Sequence, residues 1–190
     1  HHWEGKLYAD VNQFYKDSNH VFTIGGWIYS KPFSVAVISA RVGYAFSYAD
    51  AKRNQFVSSN KGAAAVTEWI NTSKLNGYYN NYFTPSGQMI HSLLASVIVK
   101  AGEKNELGCK ANVGVYAQTK SPYLVLTDVN GNNSVQYYDK SFTPFDLNVY
   151  WLSHFSDKLS LMAEYKYMST NFYASHYAGL SLTIHFLHAR

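Results

Sequence analysis

The chain has 190 residues, a formal net charge of +4 and a sequence pI near 9.0. Charged residues make up 15% and aromatic residues 17% of it, whereas soluble domains carry roughly 25% charged residues. This composition excludes a disordered chain, and the absence of a basic run argues against a nucleic-acid partner.

Alternation of apolar and polar residues with a period of two runs along most of the chain and predicts β-strands. In the clearest example, 159–168, leucine, alanine and tyrosine share one face, while Glu164 and Lys166 lie on the other. The segment 87–101 is nearly all apolar and taken alone equally fits a buried helix. We predict eight strands, over 5–15, 20–30, 34–50, 87–101, 106–128, 134–154, 158–170 and 176–187.

The connections between these strands alternate in length. Those at 31–32, 102–105 and 155–158 are tight, and those at the opposite end are longer. The sequence NGNN, 130–133, predicts a hairpin that makes the fifth and sixth strands one long ribbon. In the long loop 51–86, a helical spacing of Val66, Trp69 and Ile70 before Asn76-Gly77 predicts a short helix. No linker divides the chain, so we expect a single domain, 1–190.

The residue types on the two faces of the strands indicate whether each face contacts lipid or the interior of the protein. The polar face carries serine, glycine, asparagine, threonine and tyrosine with isolated charges, which fits a crowded interior better than a wet surface. The apolar face gathers aromatic residues near strand ends, as at the two interfaces of a transmembrane barrel. We therefore predict an all-β, antiparallel up-and-down transmembrane β-barrel of eight strands with its apolar face toward lipid; a ten-stranded barrel is the alternative.

Charged residues on the polar face would then lie inside the barrel. An isolated buried charge is costly, so these residues are expected to pair with one another. The predicted interior charge network is Lys6, Asp10, Arg41, Lys110, Asp146, Glu164 and Lys166.

Eight alternating strands, tight turns opposite long loops, and a last strand YAGLSLTIHF together resemble the small outer-membrane barrels of the OmpA/OmpX/Ail type. The resemblance is architectural and covers about 5–187; the tail LHAR departs from it, since such proteins commonly stop at the aromatic residue. It implies a Gram-negative outer membrane, folding by the barrel-assembly machinery and loops exposed at the cell surface. It implies no single activity.

The loops are the predicted place of function, because exposed tips on a rigid scaffold commonly carry binding residues. Tyrosine supplies a large contact area at a low entropic cost. An equally open alternative is that these side chains only pack loop against loop. The candidate contact residues are Trp69, Tyr78, Tyr79, Tyr82, Phe83, Tyr137 and Tyr138.

The leading prediction is a non-enzymatic envelope protein, structural, adhesive or docked on another envelope or host protein, with outer-membrane lipid and lipopolysaccharide as partners. Lys52, Arg53, Lys61 and Lys74 are candidates for lipopolysaccharide phosphates, or are simply solvated.

An enzymatic alternative is a lipid A-modifying, deacylase-like barrel using His154-x-Ser156, against which a polar tight turn is the simpler interpretation. A further alternative is a soluble β-barrel or sandwich that binds a ligand or sugar. The scattered histidines predict no metal, and we predict no cofactor and no catalytic residue.

Overall fold

A computed structural model of the chain describes residues 2–59, 74–80, 82–127, 130, 132–170 and 173–184. Within these ranges the chain is all-β and contains one 3-10 turn, Tyr15–Asp17, and no α-helix. The helix predicted around Val66, Trp69 and Ile70 lies outside the described residues. The strands, in chain order, are β1 (Glu4–Phe14), β2 (Asn19–Tyr29), β3 (Phe33–Val35), β4 (Ile38–Ala51), β5 (Phe56–Ser58), β6 (Lys74–Leu75), β7 (Gly77–Tyr79), β8 (Gln88–Ala101), β9 (Asn105–Leu126), β10 (Asn133–Ser141), β11 (Phe145–Ser156), β12 (Leu159–Ser169) and β13 (Ala174–Ile184).

Eight long strands form one antiparallel sheet in the order β1-β2-β4-β8-β9-β11-β12-β13. Strand β3 pairs with β4, β6 and β10 pair with β9, and β5 and β7 form a separate pair. The predicted all-β antiparallel order is thus confirmed, and 87–101 is a strand rather than a helix. The turn end of the sheet carries the connections 30–37, 102–104 and 157–158. The described residues of the loop end are 15–18, 52–59, 74–80, 82–87, 127, 130, 132, 170 and 173.

The sheet curls into a half-barrel whose edges are β1 and β13. One cavity on its concave side is lined by residues of four strands: Tyr8 of β1, Ser92 of β8, Asp146 of β11 and Met168 of β12. Strands far apart in the pairing order therefore face one another across the curl. No pairing joins β1 to β13 within the described ranges.

The two faces of the curled sheet differ in polarity as the alternation predicts: apolar side chains are exposed on the convex face, and small polar side chains are buried on the concave face. On the convex face, Leu7 is 89% exposed and Leu180 is 75% exposed. On the concave face, Ser92 and Ser96 are 3% and 2% exposed. The cluster of buried hydrophobic residues lies at the loop end, where Leu75, Leu124 and Leu126 pack with Phe56. The concave side carries polar side chains such as Ser92 and Asp146 together with apolar ones such as Leu94 and Met168.

Three details of the predicted strands were wrong. The predicted strand 34–50 is divided into β3 and β4, which pair with each other, so the tight turn lies at 36–37 and not at 31–32. The single strand 134–154 is divided into β10 and β11, because Pro144 has no N–H to give to a ladder; its carbonyl instead accepts a hydrogen bond from Gly114 N at 2.8 Å. Where β8 pairs with β9, His91 is opposite Tyr116 and Ser92 is opposite Gly114. Val115 of β9 therefore has no partner on β8 and forms a β-bulge.

The bulge reverses which residues of β9 point inward beyond it. Strict alternation from Leu107 would place Ala117 on the convex face and Tyr116 on the concave face. The structure has Ala117 3% exposed on the concave side and Tyr116 49% exposed on the convex side.

Glycine residues on the concave face make room for tyrosine rings from the neighbouring strand. In three directly paired positions, a Cβ on the glycine would overlap the tyrosine side chain. This is the arrangement in which an aromatic ring covers a strand glycine. The pairs are Gly25 with Tyr8, Gly43 with Tyr29, and Gly108 with Tyr150.

We expect Gly108→Val to destabilise the fold by about 1–3 kcal/mol, as overpacking does. The Tyr150 ring would have to move, and its hydroxyl would lose the 2.7 Å hydrogen bond that it donates to Glu106. Denaturant unfolding followed by circular dichroism measures the change. The matched control is Ala111→Val, on the convex face of the same strand; equal stability of the two variants would contradict the prediction.

Candidate functional site

The convex face is the first candidate functional surface, and it is called the outer wall from here on. It exposes large apolar side chains on each of the eight long strands, among them Leu7, Val42, Leu93, Leu107 and Leu182. Aromatic side chains lie on it toward the turn end, as Trp151 does, and toward the loop end, as Tyr44 and Tyr165 do. A soluble monomer rarely exposes a continuous apolar surface of this kind.

The charged residues predicted inside the curl form short local contacts. Lys166 Nζ lies 2.9 Å from Glu164 Oε2, so two members of the predicted set are paired. Arg41 pairs at 2.6 Å with Glu4, which is outside the predicted set because the first strand was predicted to begin at residue 5. These are the two ion pairs within the described part of the chain.

The remaining predicted charges have polar or aromatic neighbours. Asp146 accepts a hydrogen bond from Asn112 Nδ2 at 2.9 Å, and Asp10 accepts one from Asn12 Nδ2 at 3.0 Å. Lys110 Nζ lies 5.9 Å from the centre of the Tyr150 ring. Lys6 is on the same face of β1 as Asp10. The concave side thus holds several small polar groups along its length.

A second candidate surface is formed at the loop end, and its foundation is Asn19. This side chain is 1% exposed. Its Nδ2 donates to Arg53 O at 3.0 Å and to Tyr82 Oη at 2.9 Å. Its Oδ1 accepts from the backbone N–H groups of Arg53, at 2.9 Å, and His20, at 3.0 Å. One buried amide therefore joins the first loop to the residues that follow β4.

Tyr82 completes this junction rather than projecting from it. Its ring stacks on Phe14 with centroids 3.6 Å apart and an interplanar angle of 7°. Its hydroxyl donates to Asp17 Oδ2 at 2.5 Å, and Gln55 Nε2 donates to the same oxygen at 2.7 Å. The pKa of Tyr82 is raised, first by removal from water and then by the hydrogen bond to Asp17. We call Phe14, Asp17, Asn19, Arg53, Gln55 and Tyr82 the loop-end cluster.

Tyr79 is also packed within the loops. Its ring meets Phe56 edge-on at 5.3 Å and Phe83 at 4.9 Å. Burial, and secondarily the nearby Tyr137, raise the pKa of Tyr79 to about 12. For Tyr79 and Tyr82, the open alternative of loop-against-loop packing describes the observed role.

Other predicted contact residues remain available at the surface. Tyr137 additionally accepts a hydrogen bond from Asn54 Nδ2 at 2.8 Å, which fixes the position of its hydroxyl. Trp69 lies outside the described residues. We call the exposed set the aromatic rim: Tyr78 at 51%, Tyr138 at 49%, Tyr137 at 42% and Phe83 at 37% exposure.

The enzymatic alternative places its motif at the turn end. His154 N–H donates to Lys104 O at 2.7 Å, and Ser156 Oγ accepts from Lys158 N–H at 3.3 Å. These contacts are those of a polar turn. Within the described residues, no three histidine, cysteine, aspartate or glutamate side chains gather as a metal site would require.

No helix in the described part of the chain is long and apolar enough to cross a membrane. Comparison of the chain with protein-family models, with curated protein sequences and with solved structures finds no match.

We expect Asn19→Ala to loosen the loop end by about 1–3 kcal/mol, because it leaves buried hydrogen-bond partners unpaired. Limited proteolysis should cut the variant faster within 52–59 than the wild type. The matched control is Asn12→Ala, which removes an exposed amide with one hydrogen bond, to Asp10. Equal cleavage rates for the two variants would contradict the assigned role of Asn19.

The packing of Tyr79 predicts a loss of loop stability at high pH. Its folded-state pKa is about 12, against about 10 in an unfolded chain, so folding favours the neutral phenol. The stabilisation is therefore complete below about pH 10 and is lost as the pH rises toward about 12. Ultraviolet absorbance of tyrosinate should show a late-titrating tyrosine that Tyr79→Phe removes; an unchanged titration curve in that variant would refute the assignment.

Proposed function

We propose that the protein is a non-enzymatic β-barrel of a bacterial outer membrane. Its outer wall would contact lipid, and its loop end would bind a partner at the cell surface. The observation that carries the proposal is the inverted alternation of the sheet: Leu93 and Val97 are 56% and 40% exposed on the convex face, whereas Ser92 and Ser96 are 3% and 2% exposed on the concave face.

The free energy of the outer wall supports lipid as its solvent. Each Å² of apolar surface left in water costs roughly 25 cal/mol relative to burial. The side chains of the wall recur on every long strand, so the cost accumulates around the whole sheet. Hydrocarbon removes this cost without a protein partner, and the aromatic residues toward both ends suit the two interfaces of a bilayer.

The two edges of the half-barrel are compatible with closure in lipid. Strand β1 runs from the turn end to the loop end and β13 runs back, so their directions are antiparallel. Unpaired backbone groups in hydrocarbon cost several kcal/mol each, and only a closed sheet removes them. We therefore infer that β1 and β13 pair with each other in the membrane and complete an eight-stranded barrel.

The concave side supports a structural rather than a conducting role. An eight-stranded barrel is just wide enough to be filled by side chains. Here tyrosine rings cover glycines, and ion pairs and amide hydrogen bonds lie along the concave side. In a closed eight-stranded barrel these groups would narrow the interior and disfavour a wide aqueous channel.

The aromatic rim supports an adhesive or docking role. Binding costs less when contact residues are held in position beforehand. Tyr137 is held by Asn54, and Phe83 packs against Tyr79, which in turn packs against Phe56. The rim therefore offers exposed rings on a braced base, suited to a protein or lipopolysaccharide surface.

The direct test is the behaviour of the purified chain in detergent and lipid. We expect it to aggregate in plain buffer, to stay monodisperse in detergent micelles and to insert into phospholipid vesicles. A folded barrel should also migrate differently on a gel before and after boiling. A monodisperse chain in plain buffer that ignores vesicles would overturn the proposal and favour a soluble ligand-binding barrel.

Leu93→Lys should reduce vesicle insertion, because lysine facing hydrocarbon costs up to about 2–4 kcal/mol in such barrels, depending on its depth. The control is Val135→Lys, which places the same charge on the exposed strand β10 beyond the wall. Insertion is measured as the vesicle-bound, protease-protected fraction. An equal effect of the two substitutions would count against lipid as the solvent of the wall.

A further inference from the structure

Two histidine side chains on the outer wall lie in nearly identical aromatic sites. His91 of β8 is the direct partner of Phe46 on β4, and its ring centroid is 5.0 Å from that ring at 55°. His176 of β13 is the direct partner of Tyr167 on β12, at 5.0 Å and 54°. The two sites are on separate strand pairs and share the same local geometry.

Each histidine is also held by a tyrosine hydroxyl two residues nearer the turn end on the neighbouring strand. Tyr44 Oη contacts His91 Nδ1, and Tyr165 Oη lies 2.7 Å from His176 Nδ1. The tyrosine and histidine centroids are 6.0 Å apart in one site and 6.1 Å apart in the other. The shared pattern is a tyrosine, one intervening residue and an aromatic ring on one strand, opposite a histidine on the next.

The roles of the two partners depend on the imidazole tautomer, and we assign the tautomer in which the hydroxyl donates to Nδ1. The ring proton of a neutral imidazole is then on Nε2. Nε2 then carries an N–H donor directed away from the tyrosine, and no partner for it is found in the described part of the chain. Each site therefore presents one fixed donor beside apolar rings.

The surroundings of these donors are mostly apolar. At His91 the neighbouring strand β9 adds the Tyr116 ring, 5.7 Å away, and Gln118, whose Oε1 accepts a hydrogen bond from the Tyr116 hydroxyl. Outward-facing positions along 42–48, 89–97, 161–167 and 174–182 carry aliphatic or aromatic side chains apart from the two histidines. Both histidines lie within the first four residues of their strands, at the loop end. In the proposed orientation this is the level where lipid headgroups meet hydrocarbon.

We propose that the two sites, Tyr44–Phe46–His91 and Tyr165–Tyr167–His176, each bind the phosphate of a lipid headgroup. The Nε2–H would donate to a phosphate oxygen, and the aromatic rings would pack on the glycerol and the first methylenes of the lipid. This inference rests on the proposed function and adds specific lipid sites to it.

The test uses the full chain in detergent micelles with added phosphatidylglycerol, and native mass spectrometry counts retained lipids. We expect two retained lipids per chain, and a retention at least about tenfold weaker for His91→Phe/His176→Phe, as for loss of a hydrogen bond to a charged group. The control is His154→Phe, which removes an exposed histidine at the turn end and should retain lipid as the wild type does. Equal retention by the double variant and the wild type would overturn the inference.

A second pair of measurements separates the alternatives. Tyr44→Phe/Tyr165→Phe keeps the rings but frees the imidazoles to rotate, and should also weaken retention; wild-type retention would count against the fixed donor. Inorganic phosphate at the same concentration should not displace the lipid, because it lacks the packed portion; displacement would overturn the lipid assignment in favour of a simple anion site.

Insertion into phosphatidylcholine vesicles, measured for every variant, distinguishes failure of the two lipid sites from failure of the proposed membrane function. A wild-type chain that fails to insert would remove the proposed function and these sites together. Normal insertion of the double histidine variant, with unchanged lipid retention, would remove the sites alone.

Discussion

The narrow space on the concave side of the sheet constrains the rest of the structure. Tyrosine rings from one strand lie over glycines of the next, as Tyr150 lies over Gly108. Larger residues at those glycines would push the strands apart, and small polar residues such as Ser92 and Ser96 fit where rings do not. Because the inside is filled with small and polar groups, the aliphatic residues of the same strands are left on the outside.

This constraint explains why alternation predicted so much of the fold. Each long strand has one face that must fit a crowded curl and one that need not, so the sequence period survives along the chain. It failed where the backbone departs from a regular ladder. Val115 is an apolar residue in an unbroken run, and nothing in its identity marks it as a bulge. Pro144, in contrast, was a visible signal that the sixth strand had to divide.

The loop end was less predictable for a different reason. Tyrosine-rich loops indicate contact surfaces, but composition does not tell which rings turn inward. Tyr82 stacks on Phe14 and hydrogen-bonds to Asp17, residues more than sixty positions earlier. Such contacts depend on how three loops meet above the sheet, which no local pattern encodes. Likewise, the Glu4–Arg41 pair depends on the registers of β1, β2 and β4 together.

The length of β9 has a mechanical consequence. This strand has 22 residues against 11 in β1, and its outer part pairs with the nine residues of β10. At about 3.3 Å per residue, the paired part of β9 and β10 reaches about 30 Å. The loops brace this arm near its tip as well as at Tyr137, because β6 pairs with Leu124 and Val125, and Leu75 packs against Leu124 and Leu126. An object approaching along the strand direction would meet Tyr137 and Tyr138 well before it met the sheet.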